Sequence, residues 1–317
     1  MMEGREILRF LPEPMATSIK KAGPDWDAAE EIRIRAGKPL LFYMNSREYF
    51  LKKSGTFTDA AKDRTAGNYE AEPSEIQRIL DRVSGHSLYA YQDELRQGYF
   101  TLEGGHRIGL TGRTVTEDGK IKTMKYLSFL NIRIAHEKKG CGQEILPKLY
   151  DEKGKLRHSL ILSPPGCGKT TLLRDFVRLI SDGIGVSPMT VGVVDERGEI
   201  GASIRGIPTN DLGIRTDLLD GCPKDEGIFL LLRSMAPQVI AVDEIGNRGD
   251  FEAIRQAVNS GCVILATAHG SSFSELKEKP LFASFIREHI FSRYILLSGR
   301  NGKGTVEKIE SMEAKII

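Results

Sequence analysis

Several features that would restrict the function of this chain are scarce or missing in its sequence. The 317 residues include one tryptophan and four cysteines, and no two cysteines form a C-x-x-C pair. Zinc knuckles and disulfide frameworks need regularly spaced cysteines, so the sequence predicts reduced thiols instead. No apolar run approaches the roughly 20 residues that span a bilayer, and the first residues lack the apolar core of a signal peptide. We therefore expect a cytoplasmic protein with no integral membrane segment.

An excess of charge of one sign is also missing. Lys and Arg number 45 and Asp and Glu number 43, which leaves a formal net charge of +2. Net charge therefore gives no support for binding to a polyanion. A basic stretch from Lys120 to Arg157 is diluted by acidic residues, and we expect a solvated surface there. A patch facing anionic lipid at the inner face of a membrane, or a weak nucleic-acid contact, is the alternative for this stretch.

Hydrophobic patterning divides the chain into two regions. In the first, residues 1–140, one helix is expected from Pro73, and the glycine-rich stretch 99–116 predicts short strands and turns. The charged segment 141–157 is expected to be a linker. In residues 158–317, apolar segments of strand length alternate with helical segments, which predicts an α/β domain with a mostly parallel sheet and helices on both faces. We expect a smaller α+β domain before it.

The stretch 163–171 carries the strongest functional signal. It reads SPPGCGKTT and lies between an apolar strand and a helix with one apolar face. Gly166 and Gly168 let the backbone turn so that successive amides point at a phosphate, and the helix N-terminus adds partial positive charge. In such a loop Lys169 reaches the β- and γ-phosphates and the Thr170 hydroxyl binds Mg²⁺. The second domain is thus expected to be a P-loop NTPase of the RecA-like type.

One departure from the usual G-x-x-x-x-G-K-[ST] pattern is Ser163, which stands where the first glycine is expected. The Pro-Pro pair after it indicates a pre-formed loop that tolerates the change; a chance glycine-rich turn is the alternative. The expected nucleotide contacts are Ser163, Pro164, Pro165, Gly166, Cys167, Gly168, Lys169, Thr170 and Thr171.

A second apolar strand, 239–242, ends in two carboxylates, Asp243 and Glu244. In phosphoryl transfer the first carboxylate of such a pair holds the metal, and the second orients or deprotonates the attacking water. We therefore assign Asp243 to Mg²⁺, together with Thr170, and Glu244 to the water. A solvated acidic turn at the end of a strand is the alternative.

Two further strand ends are expected at the same edge of the sheet, because the carboxyl ends of parallel strands line the ligand crevice. One leads into the acidic segment 195–199, DERGE, in which Glu196 is a candidate catalytic residue. A salt-bridged surface loop is the alternative for this segment. The other strand ends at Thr267 and His269, and either side chain can sense a γ-phosphate through a hydrogen bond.

These motifs, in this order and spacing, resemble the secretion-type motor ATPases of type II and type IV systems, and within them the sporulation stage III AA family. The resemblance extends over residues 75–317. It implies an ATP-hydrolysing motor that forms hexameric rings and serves membrane proteins of a secretion-like channel, between mother cell and forespore in endospore formation. It also implies ATP rather than GTP, an acidic box at 195–199 and a histidine box at 267–269. Many secretion ATPases have a glycine before the Walker B glutamate, where this chain has Asp243.

The same resemblance implies arginines that reach the nucleotide site of a neighbouring subunit. Arg113 and Arg133 are the candidates in this sequence, with Arg107 after them; a surface salt bridge is the alternative for each. A competing hypothesis is an ATPase associated with single-stranded nucleic acid, because some relatives of this ATPase core carry a single-strand-binding module. The residues 163–317 include no such module, so nucleic acid is the less favoured partner.

Overall fold

A computed structural model describes residues 5–62, 67–85, 87, 92–136, 138–204 and 206–312. The chain forms two compact units, Met1–Glu137 and Lys138–Ile317. Each unit has its own seven-stranded sheet. Within the described ranges, none of the helices combines the length and the apolar character needed to cross a bilayer.

The first unit is an antiparallel sheet with helices, in the order β4-β3-β2-β1-β7-β6-β5. Its core forms where buried positions of β1, β2, β6 and β7 meet the apolar faces of the helices, with Ile32, Phe42 and Ile132 fully buried. Its strands are β1 (Ala29–Arg35), β2 (Leu41–Met44), β3 (Arg47–Leu51), β4 (Phe57–Asp59), β5 (Tyr99–Thr101), β6 (Arg107–Glu117) and β7 (Lys120–Arg133). Its helices are α1 (Glu13–Ala22), α2 (Pro73–Val83) and α3 (Gln92–Gln97).

The hairpin of β6 and β7 is longer than the sequence suggested. Short strands were expected from the glycines at 99–116; β5 has three residues, as expected, yet β6 has 11. Gly112 does not end β6, because it lies at an irregularity in the register where the partner backbone comes close. A Cβ at Gly112 would lie 2.7 Å from the carbonyl oxygen of Lys125. The glycine therefore marks a bulge inside a long strand rather than a turn.

The second unit has the order β10-β9-β11-β12-β8-β13-β14, and all neighbouring strands are parallel except β13 and β14. Its strands are β8 (Ser159–Ser163), β9 (Val191–Asp195), β10 (Thr216–Asp220), β11 (Val239–Val242), β12 (Val263–His269), β13 (Arg293–Ser298) and β14 (Thr305–Ser311). Its helices are α4 (Lys169–Asp182), α5 (Lys224–Ser234), α6 (Arg248–Asn259), α7 (Phe273–Glu278) and α8 (Pro280–Arg287).

The central strands of this sheet are buried on both faces. Along β11, Ile240 and Val242 pack in one core with residues of α5, α6 and α8, whereas Val239 and Ala241 pack in a second core with residues of α4. Successive residues of a strand point to opposite faces of the sheet. Because both faces are buried here, apolar residues occupy successive positions of the central strands, which explains the continuous apolar segments in the sequence. The sequence did not indicate the edge strand β10.

The segment 141–157, expected to be a linker, is part of the second unit. Ile145, Leu146, Leu149 and Leu156 are buried in the core that includes α4. The glycines and charges that suggested a linker lie between these apolar positions. The segment therefore packs as a covering layer on the second unit, because burying four aliphatic side chains is more favourable than leaving them in water.

Candidate functional site

The loop between β8 and α4 has the shape that a phosphate requires. Gly166 and Gly168 have φ angles of +73° and +88°, which favour glycine. Gly168 is the N-cap of α4 and provides no side chain that would accept the first helical amides. A Cβ at Gly168 would also lie 3.4 Å from the backbone of Gly304, in the turn between β13 and β14. The loop thus presents helix amides and the positive end of α4 to the carboxyl edge of the sheet.

Ser163, in place of the first glycine, still belongs to β8. Its side chain is buried and its hydroxyl donates to the Pro164 carbonyl oxygen at 2.7 Å. It lies opposite His269 in the register of β8 and β12. Because the backbone is extended at this position, the loop does not need a glycine there.

Three predicted residues that are far apart in the sequence meet beside this loop. The Nζ atom of Lys169, whose residue is only 5% exposed, lies 3.6 Å from Oε1 of Glu244 and 3.4 Å from Nδ1 of His269. Nε2 of His269 lies 2.9 Å from the same Oε1. Parallel pairing of β11 with β12 and of β12 with β8 brings the ends of these strands together. The structure therefore assembles a lysine, a carboxylate and an imidazole at one point.

Asp243 connects the loop to the end of β12. The Thr170 hydroxyl donates to Oδ2 of Asp243 at 2.5 Å, and the Thr267 hydroxyl donates to Oδ1. Oγ1 of Thr267 in turn accepts the backbone N–H of Glu244 at 2.9 Å. Thr267 is buried, so its bonds hold the Asp243 carboxylate and the backbone of Glu244. The sequence suggested Thr267 only as a phosphate sensor.

Thr170 and Asp243 fit a magnesium ion. A hydroxyl and a carboxylate are hard oxygen ligands, and the 2.5 Å contact shows that both side chains reach the same point. Over the described part of the chain, no group of three or more His, Cys, Asp or Glu side chains is arranged to hold a metal. Magnesium that is bound mainly through phosphate oxygens and water needs no such group.

Glu244 has a left-handed backbone conformation, and its side chain lies beside the positively charged Lys169 and Arg197. Its φ angle is +53°, a left-handed conformation that costs a non-glycine residue roughly 1–3 kcal/mol. Burial raises the pKa of its carboxyl group, but His269, Arg197 and Lys169 outweigh burial and hold the pKa below its ordinary value. The carboxylate is therefore ionised at neutral pH. Arg197 contacts Oε2 of Glu244, a pairing that the sequence did not indicate.

Within the acidic segment, Asp195 organises the loop. It is 1% exposed, and its carboxylate accepts the backbone N–H groups of Glu199 and Ile200 at 2.9 Å and of Gly201 at 2.7 Å. Burial raises its pKa, although these three hydrogen bonds oppose that shift. Glu196 forms an ion pair with Lys224, at the start of α5. Of this segment, Arg197 is the residue that reaches Glu244.

Replacing Asp195 with asparagine is expected to destabilise the second unit. The asparagine NH₂ group would take the place of one carboxylate oxygen. Because it is a donor, it cannot accept the backbone N–H groups that bond to this oxygen, and these buried donors would be left unpaired. The expected loss in the free energy of unfolding is about 1–3 kcal/mol, measured by denaturant titration. Glu252→Gln is the control, because Glu252 is an exposed carboxylate of the same unit that pairs with Arg248. Equal stability of the two variants would contradict the organising role of Asp195.

The candidate arginines lie in the first unit, on the β6–β7 hairpin. Arg113 is exposed on β6, and the exposed Arg133 on β7 lies 3.4 Å from Glu31. The Arg107 guanidinium stacks over the Tyr99 ring at 4.2 Å. Arg113 and Arg133 are thus exposed side chains on one hairpin, whereas Arg107 is held by an aromatic ring.

Comparison with known proteins gives consistent matches. The profile of the protein family described as "Sporulation stage III, protein AA" matches residues 1–317. The chain is 39% identical over 314 residues to stage III sporulation protein AA of Bacillus subtilis (strain 168), which covers 98% of this chain and 96% of that protein.

Two solved structures share the fold. The ATPase DotB of Legionella pneumophila superposes with a TM-score of 0.54 at 16% identity, over 84% of this chain and 72% of that chain. The pilus retraction motor PilT with bound ADP superposes with a TM-score of 0.55 at 14% identity, over 89% of this chain and 76% of that chain. These superpositions confirm the predicted P-loop NTPase fold.

Proposed function

Because the chain belongs to the sporulation stage III protein AA family, we propose that it is a magnesium-dependent ATPase that drives a secretion-like transmembrane complex during endospore formation. The observation that carries the proposal is the meeting of Lys169, Glu244 and His269 beside a loop whose amides face the same edge of the sheet. A buried lysine beside a helix N-terminus is suited to phosphate, and an ionised carboxylate next to it is suited to water.

The proposed reaction is hydrolysis of the terminal phosphoanhydride of ATP. Lys169 and the amides of the loop bind the phosphate oxygens, and the leaving oxygen remains on ADP. Glu244 orients the attacking water and accepts its proton, and His269 keeps Glu244 in place through the 2.9 Å contact. Thr170 and Asp243 would hold Mg²⁺, which neutralises negative charge on the phosphates when bound.

We propose that the working form is a hexameric ring that acts at the inner face of a membrane, as the resemblance to the secretion-type motor ATPases implies. Arg113 and Arg133 would reach the terminal phosphate bound by a neighbouring copy. Their exposure on the β6–β7 hairpin supports this role, because a residue that acts on another subunit must be accessible. A cation supplied in this way accelerates phosphoryl transfer by about 1,000-fold to 100,000-fold.

Phosphate release from Mg-ATP, measured as a function of protein concentration, tests the function. Specific activity is expected to rise with concentration, because each site needs a neighbour. Arg113→Ala and Arg133→Ala are expected to lower the maximal rate by about 1,000-fold or more if each acts in trans. Lys122→Ala is the control, since Lys122 is an exposed residue of the same hairpin that pairs with Glu117.

Three outcomes would contradict parts of this proposal. A specific activity independent of concentration, with both arginine variants at the wild-type rate, would exclude the trans role. Absence of both ATP binding and phosphate release would exclude the ATPase. Salt-dependent stimulation by single-stranded DNA would favour the nucleic-acid alternative.

A further inference from the structure

Both carboxylate oxygens of Glu244 are in contact with other side chains of the protein. Oε1 lies 2.9 Å from Nε2 of His269 and 3.6 Å from Nζ of Lys169. Oε2 is in contact with Nη1 of Arg197. A water molecule that is to be activated by Glu244 needs one of these oxygens as its acceptor. A carboxylate has about four acceptor sites and three contacts are made here, so withdrawal of one partner opens Glu244 further to the attacking water.

The three partners differ in how firmly they are held. Lys169 is buried in the first turn of α4. His269 is the last residue of β12, and its carbonyl oxygen accepts a hydrogen bond from Lys279 at 2.8 Å. The Arg197 side chain is 59% exposed and follows β9 in a turn. Of the three side chains, that of Arg197 is the most exposed, since that of His269 is 47% and that of Lys169 is 5% exposed.

The backbone that carries Arg197 is fixed on its C-terminal side. Asp195 accepts the N–H groups of residues 199–201, and Arg174 donates to the carbonyl oxygens of Glu199 and Ile200 at 2.6 and 2.8 Å. A change of Arg197 partner can therefore leave the backbone of residues 199–201 in place.

We propose that Arg197 is a positioning residue that exchanges Glu244 for the terminal phosphate of ATP and so frees Oε2 of Glu244 for the attacking water. This inference rests on the proposed ATPase function. Lys169 contacts Glu244 and, in a P-loop, reaches the β- and γ-phosphates, so the terminal phosphate lies beside the carboxylate that Arg197 holds. A terminal phosphate carries more negative charge than one carboxylate, and its oxygens match the fork of a guanidinium. ADP lacks this group and leaves Arg197 on Glu244.

The test compares the affinities for a non-hydrolysable ATP analogue and for ADP, both with Mg²⁺, by isothermal titration. Arg197→Ala is expected to lower the affinity for the analogue by about 10-fold or more, which is the usual effect of losing a hydrogen bond to a charged group. Its ADP affinity is expected to stay within about two-fold of the wild type. Arg197→Lys should recover part of the loss. Arg248→Ala is the matched control, because Arg248 is exposed, pairs with Glu252 and lies near Glu244 in the sequence.

A double-mutant cycle adds a readout that a purely structural role would not change. Glu244→Gln removes the carboxylate that holds Arg197. This variant is therefore expected to bind the analogue several-fold more tightly than the wild type does. That gain should disappear in the combined Arg197→Ala, Glu244→Gln variant.

The outcomes separate this inference from the proposed function. The proposed exchange of Arg197 between Glu244 and the phosphate is wrong if the wild type binds both nucleotides while Arg197→Ala lowers both affinities equally or changes neither. A gain in Glu244→Gln that persists without Arg197 would also overturn it. If the wild type binds neither nucleotide, the proposed ATPase function itself fails.

Discussion

Lys169→Ala is expected to abolish ATP binding, with an affinity loss of about 100-fold or more and no measurable hydrolysis. Lys169 is 5% exposed and lies at the first position of α4, so no solvent-exposed side chain can replace its charge at that point. A hydrogen bond between a buried cation and a phosphate is among the stronger polar contacts. Titration with a fluorescent ATP analogue measures the effect.

The fold should survive this substitution. Glu244 keeps Arg197 and His269 as partners, so removal of the lysine leaves no carboxylate without a cation nearby. Lys224→Ala is the matched control, because Lys224 is also buried and ion-paired, with Glu196, but lies outside the loop. ATP binding by Lys169→Ala at the wild-type affinity would exclude the proposed phosphate site.

Glu244→Gln is expected to slow hydrolysis by about 100-fold to 10,000-fold, the range for loss of a general base. Glutamine has nearly the same shape, so the left-handed backbone and the surrounding packing are preserved. This variant should bind ATP at least as tightly as the wild type does, because the carboxylate that holds Arg197 is gone. Single-turnover phosphate release together with equilibrium binding separates the two effects.

Glu252→Gln is a suitable control for this variant. Glu252 pairs with Arg248 on α6 and its side chain is 58% exposed. Its replacement removes one carboxylate near the same sheet edge without touching the cluster. Equal hydrolysis rates in Glu244→Gln and the wild type would exclude Glu244 as the residue that activates water.

The sequence was sufficient for features whose residues are adjacent in the chain. The strand, turn and helix around 163–171 follow from apolar β8, two glycines and an amphipathic α4, and the structure has each of them. The parallel sheet followed from the alternation of apolar and helical segments. Because strand ends in such a sheet share one edge, the meeting of Lys169, Glu244 and His269 was also predictable.

Other features depended on register and packing. The glycines of 99–116 indicated turns, but Gly112 lies inside β6 because the partner strand approaches it closely. The polar segment 141–157 was expected to be a linker, yet its four aliphatic residues cover a core that local patterning does not reveal. The position of β10 beside β9 also had no clear sequence signal.

The sequence by itself determined which residues form the phosphate loop and which strands end in chemically active side chains, because those properties are set by neighbouring residues. Only the tertiary structure decided how these side chains are paired. Arg197 contacts Glu244 because β9 lies next to β11, while Asp195, in the same acidic segment, turns inward and binds backbone amides. Strand order and the direction of each side chain result from packing over the whole unit, and a sequence motif does not contain that information.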